Sequence, residues 1–99
     1  SEDGMIAIAI YLDSVKNKLL RDPEIYMKGV ISQGSKTYEN ELKTLIKTSI
    51  SQRLTGKINF NELKTLIRQI TSEYTSRKIN TQPMVLPVIM TSKNDDISK

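Results

Sequence analysis

The 99-residue sequence predicts an α/β (α+β) two-layer domain of order β-β-α-α-β, a three-stranded mixed sheet with two α-helices packed on one face. Three observations predict it. Ile6, Ile8, Ile10 and Leu12 recur at period two, and apolar residues recur at spacings of three and four in residues 38–54 and again in 60–74. Residues 82–90, Gln-Pro-Met-Val-Leu-Pro-Val-Ile-Met, are apolar on both alternating rows, which marks a strand with no side meant for water.

The first strand reads Met-Ile-Ala-Ile-Ala-Ile-Tyr-Leu from Met5. Ile6, Ile8, Ile10 and Leu12 share one face and want the core. Met5, Ala7, Ala9 and Tyr11 share the other, which is small and apolar rather than charged. Residues 13–23 are polar with turn formers at both ends, a loop or hairpin tip. Residues 24–31 form a second strand. Ile25, Met27 and Ile31 lie on one side and Tyr26, Lys28 and Val30 on the other. Gly29 marks a bulge or a close backbone approach. After a turn at 33–35, Tyr38, Leu42, Leu45, Ile46, Ile50 and Leu54 make an amphipathic helix, with Gly56 as its expected C-cap. Asn59 caps the next helix, and Glu62 completes a capping-box pattern. Phe60, Leu63, Leu66, Ile67, Ile70 and Tyr74 form its stripe. The third strand follows, parallel to the first, with Pro87 pushing it to an edge because proline cannot donate to a ladder. Residues 1–92 make one domain, and 93–99 are expected to be a flexible polar tail. The chain opens on Ser1 and enters a strand directly after Gly4, so it reads as a piece of a longer protein. The echo of residues 40–47 in 61–68 reads as two helices solving one packing problem.

The composition argues against chemistry of the chain's own. It has no histidine and no cysteine, the commonest general base and the usual zinc ligands. Its acids are scattered, and Gly29 and Gly34 form no phosphate-binding motif. The reading is therefore no catalytic residue, no metal site and no cofactor site. No run is long and apolar enough to span a membrane, and the lack of cysteine and of a secretory signal fits a cytoplasmic setting.

Two surfaces remain as candidates. Two helices can cover one face of the sheet, and nothing is left for the other. Met5, Ala7, Ala9 and Tyr11, with Val85 and Ile89 from the third strand, are the candidate interface. The net charge of +4 permits contact with an anionic partner. Arg53, Lys57, Arg77 and Lys78 are the candidate contacts to an RNA backbone, set against the plainer view of a solvated helix face. With five aromatic residues, none in an RRM-type motif, no base-stacking platform is evident.

A resemblance gives these surfaces a context. The block Pro83-Met84-Val85-Leu86-Pro87-Val88-Ile89-Met90 resembles the R-P-M-[IV]-L-P-[VI]-[IV]-M run that closes ribonuclease J. Ser1-Glu2-Asp3-Gly4-Met5 is similar to the S-E-D-G-L that opens that family's C-terminal domain. Asp22-Pro23-Glu24 with Lys28-Gly29-Val30 resembles its G-P-[ED]…S-R-G-[FV] segment. The helix from Asn61-Glu62-Leu63-Lys64 to Tyr74 resembles its W-x-x-[IL]-K…[IL]-R helix. The match runs in order along nearly the whole chain. Two departures stand out. Met27-Lys28-Gly29 replaces S-R-G, and Asn80-Thr81-Gln82 replaces a basic K-R-R, which suggests a divergent second paralogue from a Gram-positive bacterium and weakens RNA contacts there.

The resemblance implies a parent that is a cytoplasmic metallo-β-lactamase/β-CASP hydrolase, a 5′→3′ exonuclease and endonuclease of mRNA decay and rRNA processing. Two zinc ions would sit in its catalytic domain, and none of their ligands is matched here. This chain would be an accessory C-terminal domain for oligomerisation, partnered by itself or the companion ribonuclease J paralogue and meeting RNA through the parent. The alternative is a free-standing basic RNA-binding module.

Overall fold

The computed structural model describes residues 3–30 and 34–92. In chain order the elements are β1 (Met5–Asp13), β2 (Lys18–Leu19), β3 (Glu24–Lys28), α1 (Ser35–Ser51), α2 (Phe60–Ile79) and β4 (Met84–Thr91). The expected tail at 93–99 and the end of the expected second strand at Ile31 lie outside the described residues.

β1 is the centre of a mixed sheet. β2 and β3 pair with it antiparallel along one side, and β4 pairs with it in parallel along the whole of the other. The sheet is three strands wide, as expected, but holds a fourth segment, because the expected loop at 13–23 contains β2. The registers give the reason. Leu19 opposes Leu12 and the Leu20 amide donates to the Tyr11 carbonyl at 2.8 Å, whereas Glu24 opposes Ala9. Arg21, Asp22 and Pro23 therefore all face Ile10, and this bulge splits one hairpin arm into β2 and β3. Pro23 cannot donate to a ladder, which places the break where it is. At the hairpin tip Asp13 accepts from the Val15 and Lys16 amides, both at 3.0 Å, and Asn17 adopts φ 55. Asn17 then donates to the Gly56 carbonyl at 3.1 Å, tying the tip to the connection between the helices.

The parallel pairing of β4 fixes its polarity. The Met84 amide donates to Gly4 at 2.9 Å and the Ser92 amide to Leu12 at 3.3 Å. By the alternation of a strand, the even-numbered residues of β4 spend their backbone groups on β1 and the odd-numbered ones turn theirs outward. Pro87 falls on the outward row, the one place in an edge strand where a missing N–H costs no bond.

Both helices lie on the face carrying Ile6, Ile8, Ile10 and Leu12, all fully buried. α1 packs toward β3 and α2 toward β4. Leu42 and Leu63, like Ile46 and Ile67, enter this core from equivalent places in the two helices, which explains the sequence echo. Asn59 caps α2 as expected, its side chain accepting from the Glu62 amide at 3.0 Å. α1 ends earlier than expected. Its last residue is Ser51 and Gln52 is its cap, while Gly56, at φ 59, lies in the connection beyond. Leu54 still reaches the core from that connection, so the apolar stripe outruns the helix.

One core group is out of keeping. Thr71 on α2 is fully buried and its hydroxyl has no hydrogen-bond partner among the described residues. A buried hydroxyl without a partner carries its desolvation cost uncompensated. Thr71→Val keeps the shape and removes that group, so urea unfolding should show a gain of about 1 kcal/mol. A loss of stability would mean that the hydroxyl has a partner after all.

Candidate functional site

The sheet face opposite the helices is built from three rows. β1 contributes Met5, Ala7, Ala9 and Tyr11. β3 contributes Glu24, Tyr26 and Lys28, which oppose Ala9, Ala7 and Met5. β4 contributes Met84, Leu86, Val88 and Met90, beside Met5, Ala7, Ala9 and Tyr11. This corrects the expected interface. Val85 and Ile89 lie beside Ile6 and Ile10 and pack against the core under the helices. Because both rows of β4 are apolar, composition could not separate them, and a shift of one residue exchanges the faces.

The apolar exposure is also distributed differently from expectation. Ala9 is only 6% exposed, while Met84, Leu86 and Met90 are 52%, 48% and 46% exposed. At Ala7 and Ala9 the central row dips between the larger side chains of β3 and β4. On the β3 side those neighbours are polar. The Arg21 guanidinium lies 3.8 Å above the Tyr11 ring. Tyr26 and Tyr11 both donate to Glu24 Oε1, at 2.7 and 2.9 Å. These two hydroxyls, Tyr26 first, hold the Glu24 carboxyl below the usual carboxylate range. One half of the bare face is thus a polar cluster that covers Tyr11, and the other half is the methionine and leucine row of β4.

The basic candidates are not brought together. Arg53 and Lys57 sit in the connection after α1, while Arg77 and Lys78 occupy the last turn of α2. In an antiparallel helical pair of this length those ends are about 25 Å apart. At the second end Tyr74 donates to Glu41, and Lys78 Nζ lies 3.6 Å from the same carboxylate. Burial and the Glu41 carboxylate push the Tyr74 hydroxyl up to about 12, and the Tyr74 bond, with Lys78 beside it, draws Glu41 down. Lys78 is therefore engaged within the chain, which weakens it as a phosphate contact. An open groove of about 570 Å³ between the helices is lined by Glu41, Thr44, Leu45, Tyr74 and Arg77.

A family model described as the ribonuclease J C-terminal domain matches residues 1–92. The chain belongs to that family. No curated protein matches it. A ribonuclease J C-terminal domain is an accessory part of a ribonuclease J-like protein, and that is the coarse role of this chain. The residues present do not fit the zinc pair implied for the parent. The sequence has no histidine or cysteine, and among the described residues no three carboxylates gather where a metal could bind. Among the described residues no helix is long and apolar enough to cross a membrane.

Sequence reasoning missed two features of this surface. The Met84, Leu86 and Met90 row could have been found from the parallel pairing itself, had the register been known. The Arg21 cap over Tyr11 depends on the bulge at 21–23, which has no local signal beyond Asp22-Pro23.

Proposed function

We propose that this ribonuclease J C-terminal domain is an association module. It docks its uncovered sheet face on a second copy of itself or on a companion ribonuclease J and so assembles the catalytic domains of a 5′→3′ exo- and endoribonuclease of mRNA decay and rRNA maturation. In that reading the zinc pair and the catalytic residues belong to the parent outside this chain, RNA reaches this domain through the parent, and the protein works in the cytoplasm. One observation carries the proposal: Met84, Leu86 and Met90 stand half-exposed in a single row on a face that, among the described residues, no helix covers. Exposed apolar rows of this kind, rimmed by polar groups, are the usual mark of a protein–protein contact.

The test is light scattering of the 99-residue chain across concentration. Self-association that rises with concentration is expected, and Leu86→Glu should weaken it by at least tenfold while leaving the circular dichroism unchanged, since Leu86 points to solvent. A companion partner would instead leave the chain monomeric alone and show binding only in a mixture. RNA affinity that falls steeply with salt in this chain by itself would favour the basic RNA-binding module. The separation of Arg53 and Lys57 from Arg77 and Lys78 argues against that outcome.

A further inference from the structure

We infer that the partner is a second copy of this chain, and that the two copies join edge to edge, β4 against β4 in antiparallel register about a two-fold axis through Val88. The inference rests on the self-association proposed above and replaces docking of the whole sheet face by pairing along its β4 edge, where Leu86 and Met90 stand. β4 pairs with β1 alone among the described strands, so its outer edge is open. The outward row of that edge is Val85, Pro87, Ile89 and Thr91, as the Met84 and Ser92 amide bonds dictate. The strand carries no charged side chain, the usual guard against strand addition. Its one blunting device is Pro87.

Pro87 selects the register. If Pro87 faced its own copy, neither residue could donate and the centre of the ladder would be empty. With the axis at Val88, each Pro87 carbonyl instead receives the Ile89 amide of the other copy, and Val85 exchanges both bonds with Thr91. Only the missing proline donor is forgone. The same register decides what happens on the bare face. The even residues become the non-hydrogen-bonded pairs, whose side chains approach most closely. Leu86 of each copy then meets Met90 of the other, and Val88 meets Val88. The half-exposed side chains are therefore complementary to one another in the register that the backbone prefers. The result is one continuous sheet with all helices on the same side. A face-to-face stack would instead have to accommodate the charged Arg21, Glu24 and Lys28 side chains beside the apolar row.

Two substitutions make the register testable. Leu86→Glu should raise the dimer dissociation constant at least tenfold, as should Met90→Lys. In the double variant Leu86→Glu/Met90→Lys, each new carboxylate meets a new ammonium of the other copy, and sedimentation should show at least a fivefold recovery over either single variant. Leu86 and Met90 are about 13 Å apart along one strand, too far to pair within a chain. Independently, the chain has no cysteine, and Val88→Cys should cross-link quantitatively on mild oxidation. Non-hydrogen-bonded partners sit about 4.5 Å apart, within disulfide reach. A wild-type chain that dimerises, with single variants that weaken it and a double variant that does not recover, would overturn this register while leaving the association proposal standing. A wild-type chain that is monomeric at every concentration overturns the self-pairing, and one that also binds no companion ribonuclease J in a mixture overturns the association proposal with it.

Discussion

Ile10→Ala should be the most damaging single truncation in this domain, costing about 3–5 kcal/mol against a total stability on the order of 5–15 kcal/mol. Ile10 is fully buried at the centre of β1, between the β4 neighbour Ile89 and the bulge at 21–23, under both helices. Removing its branched end leaves a cavity whose walls are a sheet and two helices, none free to collapse inward. Thermal unfolding should fall by more than about 10 °C, at roughly 4–8 °C per kcal/mol for a domain this size. Leu86→Ala is the matched control. It truncates a side chain of the same size on the adjacent strand, but one that faces away from the helices, and at concentrations where the chain is monomeric should stay within about 0.5 kcal/mol. Equal costs at the two sites would mean that the helices do not cover one face only.

The second large effect is expected at Gly4. Its φ is +91, and a Cβ there would stand 2.5 Å from the Lys28 carbonyl oxygen and 2.6 Å from that of Gly29. Both obstacles are backbone, so neither can rotate aside. The strained dihedral alone costs about 1–3 kcal/mol, and the clash must add to it by prying β3 away from β1 at the Met5–Lys28 pair. The Met84 amide bond to Gly4 would be disturbed as well. Gly4→Ala should therefore lose about 2–4 kcal/mol in urea unfolding, close to the upper range for point changes. Gly29→Ala separates the two causes. Gly29 also has a positive φ, +73, but its Cβ would meet only the Gly4 Cα at an ordinary 3.5 Å. It should cost about 1 kcal/mol. The expectation that Gly29 marks a close backbone approach was right about the place, but the tight partner is Gly4.

Much of this was legible before any coordinates. The Ile row of β1, the two helix stripes, the Asn59 cap and the edge position of Pro87 each follow from a local rule. Periodicity assigns a face, a side-chain oxygen caps a helix, and a missing donor excludes a central strand. What misled was also local. The apolar stripe through Leu54 suggested a longer α1, yet Leu54 reaches the core from an irregular connection, because burial needs only a direction and not a helix. Both rows of β4 are equally apolar, so the pattern carries no parity and cannot tell Val85 and Ile89 from the row that faces away from the helices.

The residue order by itself determined three of the four strands and both helices, that the chain has no histidine or cysteine, and that two helices can clad only one side of the sheet. Only the tertiary structure decided which row occupies that side. Pairing of Met84 with Met5 rather than with a neighbour is a long-range choice, set by backbone bonds to Gly4 and by the fit of Val85, Pro87 and Ile89 under α2. A shift of one position would exchange every side chain of β4 between oil and water, and no local preference within an all-apolar strand resists it.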